Sequence, residues 1–123
     1  MTTPQLRNLL ENSDSLRSGL ARVSLRTLGE YIQVYELDDV EVKEAQTLLL
    51  RKVADTNDFI RSEAIESLRA LTLKQKVPSI QNYLAVLKAG ALTTSVQGSQ
   101  NSASTRLAIA RALSDVSETG YAT

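Results

Sequence analysis

The segment Asp55-Thr56-Asn57-Asp58-Phe59-Ile60-Arg61, continuing through Ser62-Glu63-Ala64-Ile65-Glu66-Ser67-Leu68, constrains the fold of this chain more than any other stretch. Four consecutive cap- and turn-forming residues precede an Ile-Arg pair, after which Ala64, Ser67, Leu68 and Leu71 recur at helical spacing. That pattern is a capped amphipathic helix. Partial copies of its opening lie on either side: Leu16-Arg17, Ile60-Arg61 and Thr105-Arg106 are separated by 44 and 45 residues. A period of that size predicts repeated helical hairpins, because one helical pair cannot bury its apolar face without neighbours.

The rest of the chain falls into helices around that motif. Two prolines and five glycines leave long stretches with helical periodicity and no alternating strand pattern. Pro4 suits a first helical turn, and a helix to about Asn12 carries Leu6, Leu9 and Leu10. Asn12-Ser13-Asp14-Ser15 restarts a helix over 14–34, with Leu16, Leu20, Val23, Leu28 and Ile32 as its apolar positions. Gly29 is a point where that helix could break, and Tyr31 and Tyr35 share a face if it does not. Asp38 and Glu41 bracket a capping box for a helix over 39–54, with Val42, Ala45, Leu48, Leu49 and Val53 facing inward. The motif helix spans 57–72 and buries Ile60, Ala64, Ile65, Leu68 and Leu71. Pro78 opens a fifth helix carrying Ile80, Leu84 and Leu87 and closing near Gly90. A sixth, over 102–117, carries Leu107, Ile109, Ala110, Leu113 and Val116. Between them, 93–101 is a polar stretch with little apolar surface to offset ordering entropy, so it reads as a mobile loop, and 118–123 as a flexible tail.

These helices form three short-turn pairs within one domain, 1–123. The motif resembles the second helix of a HEAT repeat, which has an Asp-rich turn, then Val/Ile-Arg, then small and apolar residues at the spacing of Ala64, Ser67 and Leu68. The middle unit matches over 55–71. The last matches in part, with Ile109, Ala112 and Leu113 following Arg106. The first gives Leu20, Val23 and Ser24 after Arg17, or Ala21, Ser24 and Leu25 after a one-residue slip. The resemblance implies an all-α, right-handed stack of three antiparallel pairs, with a closed helical bundle as the architectural alternative. It also implies that Asp58 and Arg61 hydrogen-bond neighbouring turns as a structural ladder, with Arg106 and Arg17 as counterparts.

Composition narrows the chemistry. The chain has no His and no Cys, which removes the commonest general base, the thiolate nucleophile and the usual zinc ligands. No phosphate-cradling glycine loop is present, and no serine has a base at motif spacing. The acidic run 36–44 lacks the alternating ligands of an EF-hand and reads as negative charge at a helix N-terminus. The expectation is therefore a non-enzymatic chain without cofactor or metal.

Net charge is zero, with 14 basic and 14 acidic residues. Residues 1–60 hold seven Lys/Arg against ten Asp/Glu, and 61–123 hold seven against four. No run reaches the roughly 20 apolar residues of a membrane span, and the N-terminus lacks the layout of a signal peptide. A cytoplasmic protein, or a component of a virus particle assembled in a cell, is the expectation. Arg17, Arg22 and Arg26 make the densest basic face, but without excess positive charge a nucleic-acid accessory role is the weaker alternative.

What remains is a small helical-repeat adaptor or scaffold that binds protein partners, copies of itself included. The alternative is a structural subunit of a viral or phage assembly. Exposed positions expected to meet a partner are Arg22, Arg26, Glu63, Glu66 and Arg69 on the second helices, with Ser95, Gln97 and Gln100 on the polar segment.

Overall fold

In a computed structural model, which describes residues 4–55, 57–74, 80–95 and 103–118, the protein is all-α. Six helices follow one another: α1 (Pro4–Ser13), α2 (Ser18–Val34), α3 (Asp39–Lys52), α4 (Asp58–Lys74), α5 (Ile80–Ser95) and α6 (Ala103–Glu118). Among the described residues there is no strand, and no helix is long and apolar enough to cross a membrane.

Local chemistry starts these helices where cap residues stand. The Asp38 carboxylate accepts from the Glu41 backbone N–H at 2.8 Å, and the Glu41 carboxylate accepts from the Asp38 N–H at 3.0 Å, completing a capping box. The bond from the Glu41 N–H holds the Asp38 carboxyl below the ordinary Asp value. Ahead of α4, the Asn57 side chain accepts from the backbone N–H of both Phe59 and Ile60, while Asp55 accepts from the Asn57 N–H. Three of the donors that a helix start leaves unpaired, or its turn exposes, are satisfied in this way.

Helix α4 is the hub. It packs on α2 and α6 most extensively, on α3 next and on α5 least, while α1 packs on α2 and α5 on α6. Of its 17 residues only Phe59, Leu73 and Lys74 are exposed. Ile60, Ala64, Ile65, Leu68 and Leu71 join Leu25, Leu28, Ile32, Leu48, Leu49 and Val53 in one core.

The contact with α2 is close. Gly29 lies inside an unbroken helix, and a Cβ placed on it would sit 2.8 Å from Ser67 Oγ. Ser67 Oγ itself donates to the Leu25 carbonyl at 2.6 Å. The outer helices are tied to α4 through Asn82, whose amide donates to Thr72 Oγ1 at 2.6 Å and accepts from the Gln46 amide at 3.1 Å.

Several expectations need correcting. In α2 the buried face is Ala21, Ser24, Leu25, Leu28 and Ile32, whereas Leu16, Leu20 and Val23 are exposed. Thus the slipped alignment of the first unit is the buried one. Among the described side chains of α5, Asn82, Val86 and Ala89 are buried and Leu84 and Leu87 are exposed, while the Ile80 side chain lies outside the described set. In α6, Thr105, Ala108 and Ala112 are buried, Ile109 and Leu113 partly so, and Leu107 and Ala110 are exposed. Small residues let helices approach closely, so Ala21 and Ser24 of α2 and Thr105, Ala108 and Ala112 of α6 stand in the packed stripe while Leu20, Val23 and Leu107 do not.

Helix α5 also runs past Gly90 to Ser95. One interior glycine costs about 1 kcal/mol, too little to end a helix alone. Of the 93–101 loop, 93–95 are therefore helical and 96–101 lie outside the described residues. Of the tail, Glu118 ends α6 and 119–123 lie outside them.

Candidate functional site

Because α4 lies between α2 and α6, three helices present one shared surface. A groove of about 700 Å³ runs along it, lined by Arg26, Glu30 and Gln33 of α2, Glu63, Glu66 and Arg69 of α4, and Leu107 and Arg111 of α6, among others. Its chemistry is a chain of opposite charges. Arg26 Nη2 meets Glu63 Oε1 at 2.9 Å, with Arg22 Nε at 4.0 Å from the same oxygen. Glu66 lies 3.8 Å from Arg69 Nη1 and 3.6 Å from Arg111 Nη1. Arg69 also bonds Asp115 of α6 through Nε, and its Nη2 reaches Asp115 Oδ1 at 3.4 Å.

Five of the residues expected to meet a partner are therefore in one region and already engaged with each other or with neighbouring helices. The Arg22 guanidinium in addition covers the Phe59 ring at 4.4 Å. That leaves the basic face less available than its sequence suggests. Ser95 is the last residue of α5, and Gln97 and Gln100 lie outside the described residues.

A second cluster lies within the α4–α6 contact. Arg61, only 5 % exposed, donates from Nη2 to Asp58 Oδ1 at 3.1 Å and from Nη1 to the Asp55 carbonyl at 2.9 Å. Thr105 Oγ1, fully buried, is 2.8 Å from Asp58 Oδ1 and 3.0 Å from the Asp58 carbonyl. Asp58 thus joins its own turn to α6. Arg106 does not enter this cluster: it is exposed, and so is Arg17 at the N-terminal boundary of α2. The expected counterparts of Arg61 are corrected accordingly, with Thr105 standing where Arg106 was expected.

Sequence reasoning missed Thr105, Arg111 and Asp115. A signal existed for the first. Aligning Ala64 with Ala108 sets the spacing at 44 and places Thr105 opposite Arg61; aligning the arginines shifts the frame by one. Nothing in local sequence marks Asp115 as the partner of Arg69, since the pair depends on how α6 lies against α4.

The groove offers carboxylates and guanidinium groups in fixed alternation, an exposed Leu107, and no imidazole or thiol. Among the described residues no group of three His, Cys, Asp or Glu is placed to hold a metal ion. No protein-family model matches the chain, and no solved structure matches it significantly.

Proposed function

We propose that the chain is a non-enzymatic protein–protein interaction module, a small HEAT-like adaptor whose second helices line a groove for a segment of a protein partner. The observation that supports this reading is the order of helix neighbours: α2, α4 and α6 pack in succession, and each also packs on the helix before it in sequence. That is the adjacency a stack of three helical pairs produces, with its second helices forming one continuous surface. The paired charges suit exchange with a partner. The outward arginines, Arg26 and Arg111, are more than half exposed, so their ion pairs contribute about 1 kcal/mol or less and can be remade across an interface at little cost, while mismatched charges are rejected.

Affinity capture with the full chain as bait tests the proposal. Leu107→Glu, at an exposed groove position, is expected to remove a partner that is retained by Lys43→Glu, at an exposed position on α3. Equal recovery with both variants, or capture of no partner by the unaltered chain, contradicts it. A second reading, a subunit of a larger assembly, is supported by a different surface: the outward face of α2 carries exposed Leu20 and Val23.

A further inference from the structure

The two signs of charge in the groove are not equally accessible. The Glu63 and Asp115 side chains are each 15 % exposed and that of Glu66 34 %, whereas Arg26 is 60 % exposed and Arg111 51 %. Arginine is the longer side chain, so each outward guanidinium reaches past the carboxylate it neutralises. The groove therefore sums to little charge, but the layer that a partner meets first is basic. Among the described residues lining it, Arg26, Lys74 and Arg111 are exposed cations, and Glu30 is the one exposed carboxylate.

The outward guanidinium groups also have donors to spare. A guanidinium carries five N–H donors. Arg26 donates to Glu63 through Nη2, and Arg111 Nη1 stands 3.6 Å from Glu66, outside hydrogen-bond reach. The donors that remain form a fork suited to a carboxylate, which accepts two parallel N–H bonds. Arg69 differs: it is bound to Asp115 and stands beside Glu66, so it serves the fold.

Placement narrows the ligand further. Arg26 stands on α2 and Arg111 on α6, on either side of α4, and the carboxylates they meet, Glu63 and Glu66, lie about 4.5 Å apart along the α4 axis. Neighbouring side chains of an extended peptide point to opposite sides with a rise of about 3.3 Å, so two successive acidic residues can reach both walls. Exposed Leu73 and Leu107 lie in the same groove and suit apolar residues flanking that pair. A nucleic-acid strand fits less well. Its backbone carries a negative charge at every step, so it would run over Glu30 and Glu66, and the described lining holds no aromatic side chain for bases to stack on.

We propose that the groove takes an acidic segment of a partner protein, extended, with adjacent Asp or Glu residues on Arg26 and Arg111 and apolar residues beside them at Leu73 and Leu107. This rests on the reading of the protein as an interaction module, and it names the chemistry of the segment that the module holds.

Fluorescence anisotropy of labelled probes titrated with the full chain tests it. The probes are a peptide with an Asp-Asp pair flanked by leucines, the same peptide with Asn-Asn or with Lys-Lys in that place, and an oligothymidylate. At low salt the Asp-Asp peptide is expected to bind about tenfold tighter than the Asn-Asn one, and to lose that margin as salt rises. Arg26→Gln and Arg111→Gln, both at exposed positions, should each weaken it about fivefold with unchanged helix content, while Lys43→Gln on α3 has no effect. Asn-Asn or Lys-Lys peptide binding as tightly as the Asp-Asp one, tighter binding of the oligothymidylate, or indifference of the Asp-Asp peptide to both arginine substitutions overturns the proposal. Failure of all the probes overturns it as well. The interaction-module reading is then decided separately by affinity capture, where Leu107→Glu reports on the groove with the natural partner.

Discussion

Arg61→Ala is expected to destabilise the protein by about 3 kcal/mol, the range found when one member of a buried, hydrogen-bonded charge pair is removed. Three losses coincide. The Asp55 carbonyl loses the donor at 2.9 Å, Asp58 loses its guanidinium partner at 3.1 Å, and the side chain that fills a site only 5 % exposed is gone. Asp58 then keeps only part of its hydrogen bonding, through Thr105 and the contacts of its own turn. Arg61→Lys should recover little of the loss, because a single ammonium cannot reproduce two donors diverging from one planar group. Urea denaturation checks this, read as a fall in midpoint at constant slope. A loss below about 1 kcal/mol, the size of an exposed ion pair, would show that this cluster does not hold α4 to its neighbours.

The second large effect is expected at Gly29. On propensity alone, Gly29→Ala inside α2 would stabilise the helix by about 1 kcal/mol. The structure reverses the sign. The added methyl would stand 2.8 Å from Ser67 Oγ and 3.4 Å from Ser67 Cα, so relief requires either that the hydroxyl turn away or that α2 and α4 separate. Turning the hydroxyl gives up its 2.6 Å bond to the Leu25 carbonyl. Overpacking of this kind costs about 1–3 kcal/mol, so a net loss of about 1–2 kcal/mol is expected. The pair can be checked by a double-mutant cycle. Ser67→Ala removes the atom nearest the new methyl, so the double variant should be more stable than the sum of the two single losses allows. Additive losses would mean that the two residues do not meet.

Helix existence was legible from the sequence because local rules decide it. Asp38 with Glu41 announces a capping box, Asp55 to Asp58 announces a helix start, and both are found. The core faces of α3 and α4 were legible too, since Ala45, Leu48, Leu49 and Val53, then Ile60, Ala64, Leu68 and Leu71, make single stripes. The inner face of α2 was not. Two apolar stripes run along that helix, with Leu20 and Val23 on the exposed one and Leu25, Leu28 and Ile32 on the buried one, so residue size does not tell them apart. Only the neighbour decides: Gly29 and Ser67 bring α4 so close that Ala21, Ser24 and Leu25 must be the buried set. Similarly, Thr105 rather than Arg106 reaches Asp58 because α6 approaches α4 through small residues, Ala108 and Ala112.

The candidate groove was legible in part. Arg26, Glu63, Glu66 and Arg69 were placed on the second helices by periodicity, and all four line it. Their mutual pairing, and the contributions of Arg111 and Asp115, follow from helix placement and were not visible beforehand. Helix placement likewise pairs the charges of this surface: Glu63 is shared by Arg22 and Arg26, and Glu66 by Arg69 and Arg111.

Helix α4 is the shared wall that α2, α3 and α6 pack against. Residue-resolved amide hydrogen exchange under native conditions tests that most directly. If α4 is the hub, the amides of 64–71 exchange slowest and only through global unfolding, while those of α1 and α5, which lean on fewer neighbours, exchange through local opening. Protection in α4 equal to or below that of α1 and α5 would contradict the account.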